Sequence, residues 1–290
     1  MNKLKEKCVA VAQLCAAGKR TVGKLSHIAK KASFGCFAGF VTIMMLLTGC
    51  RTDLKLAKAF VAERTGIQAA VYFPENAEVK SEYNPTYGQC DVLKGFSQDL
   101  FLDVMYNAYA EAMNAYGVTV YIPEDIENVQ VDSLHWLVML SRVEIRESIA
   151  EYEDYLFSDT DEYSYKHPLN MVNVASWFEV NDGDWKPVLY CEHNLVDGFD
   201  SNTDYSFWSG KLNYTYTIDT LKLNDVYNYA VYLGKLYAGY TYDYMMNDFV
   251  DTELMKQNLD YWNRFKLRYD PYKKELRYAE EGDGFMEIKE

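Results

Sequence analysis

The chain has 290 residues, a formal net charge of −14 and 49% hydrophobic residues, enough for one domain with a sizeable core and too apolar for general disorder. Its acidity repels phosphate backbones and excludes sequence-independent nucleic-acid binding. All 26 tyrosines lie beyond residue 50, a supply of rigid rings with polar tips that suits sugar stacking, protein contact or a tyrosine-built core.

The amino-terminal stretch differs in kind. The basic pair Lys30-Lys31 precedes an apolar run over 34–47, which stops at Thr48-Gly49-Cys50. A positive flank, an apolar stretch and small residues before a cysteine make a secretory signal. The sixteen residues from Phe34 to Gly49 fall short of the roughly 20 that cross a ~30 Å hydrocarbon core, which weighs against a transmembrane anchor. At Leu47-Thr48-Gly49-Cys50 the sequence resembles the lipobox of bacterial lipoproteins. That resemblance implies lipid transfer to the Cys50 thiol, cleavage before Cys50 and acylation of the new amino terminus. It also implies an envelope location. Arg51 stands where some lipoproteins carry an aspartate for inner-membrane retention, and no acidic run follows, which points to the outer membrane facing the periplasm.

Without residues 1–49, which hold 8 of the 29 basic and 1 of the 43 acidic groups, the chain carries 21 and 42, net −21. Anionic headgroups would repel it, so the acyl chains must hold it on its membrane. Three of the six cysteines go with the leader and Cys50 takes lipid, leaving Cys90 and Cys191. In an oxidising compartment these two either pair, closing a loop of about 100 residues worth roughly 4–5 kcal/mol, or stay separate buried thiols.

In chain order, residues 50–65 read as a lipidated tether, helical through Leu54, Leu56, Ala57, Phe60 and Val61. A strand follows at Ile67–Phe73, then a polar loop from Glu75 to Lys94, whose twenty residues are long enough to hide structure or a flap. Ser97 is the expected N-cap for a helix with Leu100, Val104, Ala108, Ala112 and Tyr116 at helical spacing, stopped by Gly117. Val118–Ile122 is a strand. From Leu134 to Arg146 the pattern suits a long strand with Leu137, Met139, Val143 and Ile145 on one face. The acidic, aromatic piece Glu147–Lys166 reads as a loop or an excursion from the sheet. Strands at Val172–Val180 and Trp185–Cys191 flank Asn181-Asp182-Gly183-Asp184, a hairpin signal.

Leu212–Ile218 alternates cleanly as a strand. A long helix capped at Asp219 or Thr220 then runs to about Val250, burying Leu223, Val226, Ala230, Leu233, Tyr237, Thr241 and Tyr244, with Gly234 and Ala238 as a small-residue strip. Short strands are expected at Glu275–Tyr278 and Phe285–Ile288. The expected fold is α+β, a mainly antiparallel sheet with two main helices on one face and a single domain over 66–290. The stretch Lys235–Asn247 resembles the carboxyl-terminal helix of lipoproteins of the Bacteroidales. The helix from Ser97 running into Gly117–Tyr121 is similar to auxiliary envelope lipoproteins whose fold resembles the TolB amino-terminal domain.

The sequence holds no phosphate loop, paired CxxC, HExxH or Gly-x-Ser-x-Gly elbow. Cys191 and His193 would share a strand face and could start a metal site only with a ligand from elsewhere. Asp200, Asn202 and Asp204 stand at positions 1, 3 and 5, as calcium loops begin, but Tyr205 replaces the expected glycine and Lys211 the expected glutamate. A looser calcium site with Asp197 and a solvated Asx-rich turn both remain open. The leading expectation is a non-catalytic envelope lipoprotein that binds or scaffolds another envelope component, without nucleic acid. Its rival is a glycan-binding or glycan-hydrolysing surface lipoprotein.

Overall fold

The computed structural model describes residues 52–157, 162–183, 186–206 and 211–288. Cys50, the expected leader over 1–49 and the middle of the Glu147–Lys166 piece lie outside the described residues. The described residues begin with helix α1 (residues 52–63), strand β1 (Gln68–Tyr72), three short strands β2 (Glu78–Ser81), β3 (Tyr83–Asn84) and β4 (Gly88–Gln89), and helix α2 (Gln98–Ala115). Strand β5 (Thr119–Tyr121) leads through a 3₁₀ turn to the two longest strands, β6 (His135–Phe157) and β7 (Glu162–Asn181). Then come β8 (Val188–Val196), β9 (Gly198–Ser206), β10 (Lys211–Asp219), helix α3 (Leu223–Lys256), β11 (Leu267–Asp270), β12 (Glu275–Tyr278) and β13 (Met286–Ile288).

The fold is α+β. Among the described residues seven strands form one sheet in the order β13-β8-β7-β6-β1-β5, with β2 beside β6. Strand β1 runs parallel to β5 and β6, β2 runs parallel to β6, and β6, β7, β8 and β13 are antiparallel in turn. The polar loop 75–94 therefore does hide structure, in β2, β3 and β4. Buried Glu147 ties it down, accepting from the Leu93 amide and the Ser81 hydroxyl, each at 2.8 Å.

Local signals explain α2. The Ser97 hydroxyl accepts the Leu100 amide at 3.3 Å, Asp99 sits in the first turn against the helix dipole, and Gly117 leaves the helix at φ +79°. In β6 the expected single face is corrected. A bulge between Leu140 and Arg142 shifts the register, so Trp136, Val138 and Leu140 are buried before it, and Val143 and Ile145 after it. One extra residue flips the alternation, which removes Leu137 and Met139 from the inner face. On the outer face Glu144 receives Arg146, Arg142 and Lys80, and the Arg146 guanidinium above all holds its carboxyl below the usual range.

Helix α3 is the spine of the core. It starts later than expected, with the Asp225 carboxylate accepting the Lys222 amide at 2.9 Å. At Gly234 the backbones of α2 and α3 touch. A Cβ there would sit 2.2 Å from the Met105 carbonyl oxygen and 2.9 Å from the Tyr109 nitrogen. Ala230, Leu233, Tyr237 and Ala238 are fully buried around this crossing. The Tyr237 hydroxyl meets the Ser176 hydroxyl at 3.0 Å, and its ring lies edge-on to Phe178 at 5.1 Å, so α3 also seats on β7.

The carboxyl-terminal strands are stitched to α3 by side chains. Asn247 behaves like a strand neighbour, accepting the Leu267 amide at 2.9 Å and donating to the Leu267 carbonyl at 2.8 Å. One turn earlier Asp243 accepts from Arg268 Nε and the Tyr269 amide, both at 2.9 Å, and burial pushes its carboxyl up to about 7. Residues 52–63 of the expected tether are helical, as α1. Its Ala57 and Phe60 are buried, and Phe60 packs 5.5 Å from Phe249 and 5.7 Å from Tyr242, so it belongs to the folded body.

Gly234→Ala should destabilise the domain by at least about 3 kcal/mol, the upper range for an overpacked core, because backbone rather than a flexible side chain blocks the new methyl. Urea unfolding of parent and variant checks this. An unchanged midpoint would mean that the helices can part at no cost.

Candidate functional site

From Ser148 outward, β6 continues as a two-stranded ribbon with β7, so the Glu147–Lys166 piece begins and ends as strand rather than loop. The register places Tyr152 opposite His167 and Asp154 opposite Tyr165, which puts all four side chains on one face. The hairpin of β9 and β10 lies on that face through Phe199, Tyr214 and Tyr216. Tyr152 meets Phe199 at 4.8 Å, His167 meets Tyr216 at 4.3 Å, and Tyr165 stacks on Tyr214 at 4.3 Å and 9°. On the other side of the ribbon Tyr87 donates to Glu151 at 2.8 Å and Asn84 to the Ile149 carbonyl at 3.2 Å.

A hydrogen-bond chain runs through the cluster. The Tyr214 hydroxyl donates to Asp154 Oδ2 at 2.9 Å and meets His167 Nε2 at the same distance. With its own O–H pointed at the carboxylate, the hydroxyl accepts from the imidazole, which places a His167 N–H at Nε2. Lost hydration and the adjacent Asp154 push the Tyr214 hydroxyl up to about 12. It is therefore held protonated at neutral pH, as a hydrogen-bonding post and not as a nucleophile. The outer rings stay in reach of solvent: Tyr216 is 51% exposed, Tyr152 42% and Tyr165 40%. Such a surface can stack on a flat apolar face and hydrogen-bond at its edge.

Buried Asp197 fixes the hairpin to the body. Its carboxylate accepts the Asn170 amide at 2.8 Å, the Asn170 side chain at 3.0 Å and the Leu221 amide at 2.8 Å. One residue thus joins β7, the β8–β9 corner and the approach to α3. The structure does not bring the four proposed calcium ligands together. Asp200, Asn202 and Asp204 lie on a strand, not a turn, exposed on the side of β9 away from the aromatic cluster. Successive residues on one strand face stand about 6.8 Å apart, so three of them cannot converge on an ion with ~2.4 Å bonds. Among the described residues no three histidine, cysteine or acidic side chains gather as a metal site.

Cys90 and Cys191 are both buried free thiols, so the structure takes the unpaired alternative. Burial pushes Cys191 up to about 12, its sulfur facing the Ser176 carbonyl at 4.0 Å. His193 shares the inner face with it, and burial lowers its pKa. A crevice of about 570 Å³ opens at the carboxyl ends of β1 and β5, lined by Phe73, Tyr106, Asp99 and Asp103. Of its carboxylates, Asp99 stands in the first turn of α2 and complements the helix dipole, Asp103 follows one turn on, and Glu75 comes from the loop after β1. The aromatic arm is the stronger candidate, and sequence reasoning misses His167, Asp154 and Tyr165 in it. The clean alternation of Tyr214 and Tyr216 is the signal that could have found the arm; their partners sit in a piece that reads as either a loop or an excursion from the sheet.

No protein-family model matches this chain, and no curated protein matches it either.

Asp197→Ala leaves three inward donors without an acceptor and should cost about 3 kcal/mol of stability. Asp200→Ala, at an exposed position of β9, should stay within about 0.5 kcal/mol of the parent. Equal effects in chemical denaturation would remove Asp197 from its structural role.

Proposed function

We propose that the chain is a lipoprotein of the cell envelope, held on a membrane by acyl chains at Cys50, whose folded domain recognises another envelope component without catalysis. The observation that carries the binding half of this reading is the aromatic arm, where Tyr152, Tyr165 and Tyr216 stand part-exposed over the chain linking Asp154, Tyr214 and His167. Rings fixed by neighbours lose little conformational entropy on binding, which is why such residues serve as recognition surfaces.

Magnitudes limit the partner. A fully buried ring of this size contributes about 1.5–3 kcal/mol, and these three are already half covered. Association itself costs about 4–15 kcal/mol, so the ligand must also use polar groups along the arm. With a net charge of −21 beyond residue 49, from 21 basic and 42 acidic groups, the chain favours a neutral or basic partner over a polyanion. A protein with a basic or neutral face fits first. The parallel stack of Tyr165 on Tyr214, with the Asp154 carboxylate at its edge, favours a neutral glycan as the second reading, since a pyranose ring offers an apolar face and hydroxyl donors.

A photo-crosslinking amino acid at position 216 in living cells should give a discrete protein adduct, and the same group at position 202, across the hairpin, should not. If no adduct forms but neutral glycans on an array bind the parent and not Tyr216→Ala, the second reading replaces the first. Neither adduct nor glycan binding would reject the arm as a recognition surface.

A further inference from the structure

Four large apolar side chains are exposed within the eleven residues from Met255 to Phe265, where α3 ends and the chain turns toward β11. Trp262 is 80% exposed and Phe265 66%, with Met255 and Leu259 beside them in sequence. The loop that displays them is held from within. Arg264 is almost fully buried, donating to Asp251, to the Asn247 side chain at 2.9 Å and to the Asn247 carbonyl at 2.9 Å. Asp260 accepts the Trp262 amide at 3.1 Å, and Tyr261 backs the indole at 4.9 Å. The aromatic residues therefore face solvent by construction, not because the segment is loose.

The start of α1 comes near the same loop. Buried Asp53 lies within the electrostatic reach of the Arg264 guanidinium, and α1 seats Phe60 on Phe249 of the last turns of α3. Cys50 precedes Asp53 by three residues, a span of at most about 11 Å even when fully extended.

We propose that Met255, Leu259, Trp262 and Phe265 form a bilayer-contact surface that enters the interfacial layer of the leaflet holding the Cys50 lipid and so sets how the domain stands on its membrane. This inference rests on the lipid-anchored reading above. The short span to Cys50 selects the occupant, because it keeps the start of α1, and with it the nearby loop, close to the lipid surface. Tryptophan suits the headgroup boundary, its ring apolar and its N–H wet. Lys256 and Lys266 flank the patch with exposed side chains whose stems can lie along lipid while the charges stay in water. Electrostatic attraction is not the source of contact, since the chain is acidic.

The test uses the full chain, lipidated in a bacterial host and reconstituted into phosphatidylcholine vesicles whose acyl chains carry bromine, which quenches tryptophan on contact. The parent should float with the vesicles and show bromolipid quenching, and Trp262→Phe should float equally while losing most of that quenching. A substitution at so exposed a position leaves the core intact. Lipidated chain that floats but is quenched equally in parent and variant, or in neither, overturns this inference and leaves the anchor reading standing. Chain that carries no lipid and does not float overturns both. Shielding of Trp262 from soluble acrylamide by an added protein but not by vesicles would assign the patch to a protein partner and overturn the bilayer assignment.

Discussion

Helices α2 and α3 meet at Gly234, where the Met105 carbonyl occupies the space that any side chain would need. Two helices at backbone contact form a single slab, and that slab covers the sheet through Tyr237 on Ser176 and Phe178. The same helix α3 then organises both ends of the folded body. Its last turns hold α1 through Phe249 and hold β11 through Asn247 and Asp243. Move α3 outward by the width of a methyl group and each of these attachments shifts with it, because a close-packed interior transmits displacement.

The arm depends on a second constraint of a different kind. Its two strands are continuous with the central sheet, so the ribbon inherits the rigidity of β6 and β7. Among the described residues the β9–β10 hairpin has no strand partner beyond itself, and hydrogen bonds to Asp197 with packing on the aromatic cluster place it. A buried carboxylate that receives three N–H donors is well satisfied, whereas the donors left behind by its loss would each be expensive. The site is thus built from a stiff ribbon, a pinned hairpin and a hydrogen-bonded tyrosine between them.

Much of the fold is legible in the sequence where its causes are local. Ser97 and Gly117 bound α2 because caps act within a turn, and the alternation of Leu212–Ile218 shows β10. What fails to show is non-local. The bulge after Leu140 reverses the inner face of β6, and an alternating pattern carries no mark of an extra residue. Acidic residues leave Glu147–Lys166 open between a loop and an excursion from the sheet, and the choice is made by contacts with Phe199 and Tyr214 that lie far along the chain. Asp197 resembles a calcium ligand because it stands near other Asx residues, while its true partners, Asn170 and Leu221, are 27 and 24 positions away. Residues 52–63 read as part of a tether since an amphipathic helix does not announce what its apolar side meets.

If a folded binding domain stands on a membrane by lipid at Cys50, its mature amino terminus is the most direct test. Intact-mass and peptide mass spectrometry of chain isolated from its envelope should find a processed chain that begins at an acylated, diacylglyceryl-modified Cys50. A mature chain that begins at any other residue, or that carries an unmodified Cys50, would contradict lipid anchoring at this position.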